Sequence, residues 1–113
     1  MPTIYKILPA SLWIEARQAG VFRGAAIDLT DGYIHFSTAE QAAETASKHF
    51  AGQTDLVLLQ VNSDALGEGL KWEPSRGGAL FPHLYAELDL QHVSRADPLP
   101  LGADGRHVFP PLT

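Results

Sequence analysis

Imidazole, carboxylate, phenol and hydroxyl side chains concentrate in two short stretches of this sequence, residues 34–41 and residues 73–85. The first reads Ile34-His35-Phe36-Ser37-Thr38-Ala39-Glu40-Gln41. An extended chain there places His35 and Ser37 on one face and Ile34 and Phe36 on the other. Thr38 to Gln41 is a capping-box pattern, in which the Thr38 hydroxyl accepts from the Gln41 amide and the Gln41 side chain reaches back. The free amides that open such a helix form an anion site, which the Ser37 and Thr38 hydroxyls complement. Capping alone also accounts for Thr38, and a strand histidine holding one hydrogen bond accounts for His35. A ligand role for His35 and Ser37 therefore stands beside a structural one.

The second stretch runs Glu73-Pro74-Ser75-Arg76-Gly77-Gly78-Ala79-Leu80-Phe81-Pro82-His83-Leu84-Tyr85. Two glycines beside Arg76 make a flexible loop able to close on an anion. Pro82 fixes the approach to the next strand, and alternation puts His83 and Tyr85 on one face. An imidazole and a phenol on one face can bind a polar ligand or position a proton. The plain alternative is a solvated loop with an edge tyrosine, and for Arg76 it is the stronger one. The two stretches are expected to meet at one pocket.

Other chemistries fit less well. His35, His83 and Glu73 suit zinc by type, but no HExxH spacing joins them. Ser37, His83 and an aspartate would compose a triad, yet there is no GxSxG elbow. Glu73 and Glu87 could act as paired carboxylates only if the fold turned them toward each other. The absence of cysteine excludes a disulfide framework, a thiolate metal site and a cysteine nucleophile. His49, His92 and His107 read as surface residues, and Trp13 and Trp72 as core, with Trp72 bordering the pocket.

The whole chain sets the bounds. Its 113 residues suit a single domain over 1–113 that buries roughly two thirds of its unfolded surface. A formal charge of −5 with scattered basic residues argues against a long nucleic-acid duplex or an anionic membrane, although one phosphate could find a local site. No signal peptide is visible at the N-terminus, and the longest apolar run, residues 56–59, is far short of a membrane span. A cytoplasmic location fits the lack of cysteine. Oligomeric state is open.

The elements that must position the two stretches follow from patterning. Residues 3–8 are β-branched and aromatic, a first strand ended by Pro9. Ser11 is a candidate cap for a helix that lays Leu12, Ala16 and Ala19 on the core and stops at Gly20. Residues 21–31 show no period and read as a loop. Residues 33–37 form a strand, and a helix then carries Ala42, Ala43, Ala46 and Phe50 along one side. The nearly continuous apolar run 56–61 is a central strand. Residues 63–69 form a turn, 70–73 a strand ended by Pro74, and 84–88 and 91–94 two more strands. From Pro98 a Pro/Gly-rich tail wraps the surface or frays. Two helices early and strands late make an α+β fold.

With these residues in view, the sequence resembles the bacterial family called domain of unknown function 952. The likeness rests on residues 4–7, 13–20 and 31–38 with Gln41, then Trp72-Glu73 and Phe81-Pro82-His83-Leu84-Tyr85, and reaches about Leu99. That family is similar in fold to the ADP-ribosyltransferase superfamily, which implies a split, mostly antiparallel sheet flanked by two main helices, with a cleft for NAD. The segment 34–61 also looks like the RNA 2′-phosphotransferase branch. By that likeness His35 and Ser37 line the cleft, Tyr5 and Lys6 supply another wall, and Glu73 polarises a hydroxyl. Lys6 stands where such enzymes usually offer arginine or histidine, and no Glu-x-Glu or Gln-x-Glu pattern occurs. The implied ligand is NAD or another nucleotide-like phosphate compound, handled by a transferase. A non-catalytic binding module and a small hydrolase are the alternatives.

Overall fold

Residues 3–112 are described by the computed structural model of the chain, Arg76 by its backbone alone. The N-terminal half runs β1 (Thr3–Pro9), α1 (Ala10–Ala19), β2 (Val21–Phe22), α2 (Ala26–Asp31), β3 (Ile34–His35), β4 (Ser37–Thr38) and α3 (Ala39–His49). There follow β5 (Leu56–Asn62), β6 (Leu70–Pro74), β7 (Leu80–Leu84), β8 (Leu88–Asp89) and β9 (Val93–Pro98). Short 3-10 turns occupy Ser63–Gly69, Arg76–Gly78 and Leu90–His92. The fold is α+β, and the ladders joining these strands are antiparallel. They build a four-stranded sheet β4-β1-β5-β9, a three-stranded sheet β3-β7-β6 and the pair β2-β8.

The core of the larger sheet follows from the period of two. β1 and β5 pair along their whole length, from Thr3 opposite Asn62 to Pro9 opposite Leu56. Ile4 and Leu8 bury one face with Val57, Leu59, Val61, Phe22 and Phe36. Tyr5 and Ile7 bury the other with Leu56, Leu58, Ala46 and Leu99. The first face is closed by Ala16, Leu12 and Trp13 of α1, and the second by α3 together with Phe50, Phe109 and Leu112. Leu99 is buried and residues 109 and 112 pack on the second cluster, so the segment 99–112 is folded against the sheet.

Several elements depart from the sequence expectation. The segment read as a loop, residues 21–31, contains β2 and α2. Six residues are too few to display a 3.6 period, and α2 is instead organised by Asp28, whose carboxylate accepts from the Ala25 amide. Gly32, at φ 88°, ends it. α1 starts directly after Pro9 with no side-chain cap, so Ser11 is not its N-cap. Ala19 and Ala43 are exposed, as is Trp72, at the free side of β6.

The expected strand 33–37 is two strands that join different sheets. β3 pairs with β7 through Ile34 opposite Leu84 and His35 opposite His83, whereas β4 pairs with β1 through Ser37 opposite Tyr5. Between them the Phe36 amide donates to the Pro82 carbonyl at 3.0 Å, and Pro82 has no N–H to return. The β3 ladder therefore stops at Pro82, and the chain is released toward β1. This is what parts the two sheets.

Candidate functional site

The parting leaves a cavity of about 450 Å³. Tyr5, Lys6 and Ile7 of β1 form one wall, and His35, Phe36 and Ser37 form the crossing between sheets. Phe81 and His83 of β7 close the opposite side, with Thr45, His49 and Phe50 above. The alternation of β6 and β7 explains the polar face. His83 is opposite Lys71 and Phe81 opposite Glu73, so Glu73 and His83 are diagonal neighbours on one face, and His35 joins them directly across the β3–β7 ladder. The two imidazole centroids are 5.5 Å apart.

His35 is held by carboxylates on both sides. Its Nδ1 lies 2.6 Å from Asp28 Oδ1 and its Nε2 2.9 Å from Asp31 Oδ2. A neutral ring has one N–H, so only the imidazolium donates to both carboxylates at once. Asp28 is buried and also accepts from the His35 amide at 3.1 Å and the Ala25 amide at 2.8 Å. Lys6 Nζ lies 3.0 Å from Asp28 Oδ1 and 2.9 Å from Oδ2. Burial by itself would raise the Asp28 carboxyl, but the His35 hydrogen bond, the Lys6 charge and the Ala25 amide outweigh it and take it from 3.8 to about 2. Burial lowers the Lys6 ammonium in spite of Asp28. Gly24, at φ 126°, permits this packing, because a Cβ there would come 2.9 Å from the Asp28 Cβ.

Glu73 organises the other side. Its Oε1 accepts from Tyr85 Oη at 2.7 Å and from His83 Nδ1 at 2.8 Å. Those two bonds hold the carboxyl below its usual range. The same bond to Glu73 pushes the Tyr85 phenol up to about 12. Tyr33 lies across the assembly, its ring 4.2 Å from His83, 4.6 Å from His35 and 5.1 Å from Tyr85. Ser37 Oγ and Thr45 Oγ1 share a hydrogen bond of 2.9 Å at the α3 side.

Tyr5, Lys6, His35, Ser37 and His83 all line the cavity, so the two polar stretches do converge. Glu73 and Tyr85 stand behind His83 and do not line it. Thr38 and Gln41 form the expected capping box, the Thr38 amide donating to Gln41 Oε1 and the Gln41 amide to Thr38 Oγ1. Gln41 also donates to the Leu80 carbonyl, which ties α3 to β7. The Arg76 side chain lies outside the described residues. Sequence reasoning missed Asp28, Asp31 and Tyr33. The signal for Asp28 was an acid three residues beyond Ala25 in a segment closed by Gly32, the spacing of half a capping box.

Among the described residues no three His, Asp or Glu side chains are grouped to hold a metal ion. No helix there is long and apolar enough to cross a membrane. A second hollow, about 520 Å³, lies between α3 and residues 105–109. Its lining includes Ala43, Ala46, Ala51 and Phe109, and the His107 Nε2 is bonded to the Gln53 carbonyl. The concentration of polar chemistry belongs to the cleft between the sheets.

Residues 7–96 match the family described as "Protein of unknown function (DUF952)". The crystal structure of protein CC0527 from Caulobacter crescentus is 55% identical and has a TM-score of 0.91, over 94% of this chain and 93% of that one. The solution NMR structure of CC0527 is 56% identical with a TM-score of 0.85, over 94% of this chain and 91% of that one. No curated protein matches the sequence.

Proposed function

Because the chain belongs to the DUF952 family, whose description assigns no activity, we propose from its own geometry that the cleft between the two sheets binds NAD or a related nucleotide-like phosphate compound. The observation that carries this reading is the convergence of His35 and His83 on one cavity walled by aromatic rings. Its volume falls within the range of roughly 300–1,000 Å³ common to small-molecule sites. Tyr5, Phe36, Phe50 and Phe81 suit the flat face of a base or a nicotinamide. Ser37 and His83 offer the polar contacts that would orient it. The parted antiparallel sheets agree with the ADP-ribosyltransferase-like arrangement that the sequence resemblance implies. In this reading Glu73 acts through His83 in a transferase.

One observation favours a second reading, a non-catalytic binding module. Lys6, Asp28, His35 and Asp31 satisfy one another, so on that wall no described charge is left over for chemistry. Calorimetric titration with NAD, ADP-ribose and AMP tests both. Binding that weakens about tenfold in Phe81→Ala, near 1.4 kcal/mol, is the expected result. Turnover of NAD by the wild type separates transferase from module. Absence of binding by all three compounds overturns the ligand assignment.

A further inference from the structure

We propose that His83 presents an unprotonated Nε2 to the cleft and serves there as a general base toward a hydroxyl of the bound ligand, with Glu73 as its positioning residue. The catalytic half of this proposal rests on the ligand reading above, and the state of the ring does not.

The tautomer follows from the partners. Glu73 Oε1 belongs to a carboxylate, which only accepts, so the bond of 2.8 Å puts a proton on Nδ1 of His83, and in the neutral ring that leaves Nε2 unprotonated. Tyr85 donates its own proton to the same oxygen and offers no competing acceptor. The His83 side chain is 5% exposed, yet it lines the cavity. No hydrogen bond to Nε2 of His83 is made by the described residues, and since no buried side-chain nitrogen or oxygen among them lacks a partner, Nε2 is not sealed in the interior. That atom is therefore where the ring opens to the cleft. Among the described residues, the charged and titratable groups around the ring are Glu73 and Lys71 of β6, His35 of β3, and the phenols Tyr33 and Tyr85.

A carboxylate behind one ring nitrogen with the other nitrogen free is the arrangement in which an imidazole accepts a proton. The ligand O–H bond breaks, an N–H bond forms at Nε2, and the electron pair stays on the ligand oxygen. The imidazolium so formed keeps its Nδ1–H directed at Glu73, whose charge balances it. A lone pair also selects its partner. It receives a donor such as a ribose hydroxyl, whereas a phosphate oxygen, itself an acceptor, is disfavoured against it. His35, with both nitrogens bonded to carboxylates, is excluded from this role.

Two measurements on the wild-type protein test the proposal. Long-range proton–nitrogen NMR, at a pH about two units above the ordinary histidine value, should show His83 as the Nδ1–H tautomer. Glu73→Gln should mix the two tautomers, because an amide can accept or donate at Nδ1, a readout that a purely structural role for Glu73 would not move. Acylation by diethyl pyrocarbonate, mapped by peptide mass spectrometry, should modify His83 about tenfold faster than His35, whose hydrogen bonds must first open. An Nε2–H tautomer in the wild type, or a His83 slower than His35, overturns the proposal. ADP-ribose should protect His83 from the reagent. Full modification in its presence overturns the ligand reading and the base role together, and leaves the tautomer standing.

Discussion

The Lys6 ammonium and the Asp28 carboxylate lie against each other inside the protein, Nζ being 2.9 Å from Oδ2 and 3.0 Å from Oδ1. Neither was paired with the other by sequence position, and together with His35 they fix the β1 wall of the cleft to the crossing between sheets. Removing one partner strands the other charge. Asp28→Asn should cost about 3–5 kcal/mol in denaturant unfolding. Adding Lys6→Met to that variant should recover part of the loss, because the uncompensated ammonium is then gone. A cost below about 1 kcal/mol for Asp28→Asn would mean that the pair is solvated.

The same carboxylate makes stability depend on acid. Asp28 titrates at about 2 in the folded protein against 3.8 unfolded. A depressed folded value gives stability that is fully present above the unfolded value and lost as pH falls through the folded one. Asp28 should thus contribute on the order of 2 kcal/mol at neutral pH and lose it between about pH 4 and pH 2. Denaturant midpoints measured across that window should fall more steeply for the wild type than for Asp28→Asn.

Tyr85 gives a test at the alkaline end. Its phenol is pushed up to about 12 by Glu73, so it remains a hydrogen-bond donor well past the usual 10. The stabilisation from a raised value is present below 10 and lost as pH rises through about 12. Ultraviolet titration of phenolate should show a late-ionising tyrosine, and Glu73→Gln should move that step back toward the ordinary value.

At the α3 end, Thr38→Ala removes one half of the capping box and should cost about 1 kcal/mol of stability. Gln41→Ala should cost more than its half of the box, because the Gln41 amide also holds the Leu80 carbonyl of β7. Unfolding by chemical denaturant compares the two directly. Equal losses would show that the α3–β7 link contributes nothing.

Much of the frame was readable in order along the chain. The β-branched first strand, the capping box and helix after Thr38, and the apolar strand 56–61 all reappear as β1, α3 and β5. These are elements whose signals are local and strong: period, cap and a continuous apolar run. α2 and β2 were not readable, since each is too short to establish a period and is held by distant contacts, among them Phe22 opposite Leu88. The strand boundaries around Pro82 were misplaced for a related reason. A proline was taken to precede a strand, whereas here it sits inside β7, beside the point where β3 departs.

For the site, the sequence by itself determined which residue types carry the polar chemistry and which of them share a face. His35, Ser37 and His83 were found that way, because alternation in an extended chain is a local rule. Only the tertiary structure decided what each of them does there. Asp28 and Asp31 close on His35, Glu73 orients His83, and Lys6 spends its charge on Asp28. Those partners lie up to 22 residues apart or come from neighbouring strands. Their meeting depends on the strand register and on the parting of the sheets at Pro82, and neither follows from local patterning.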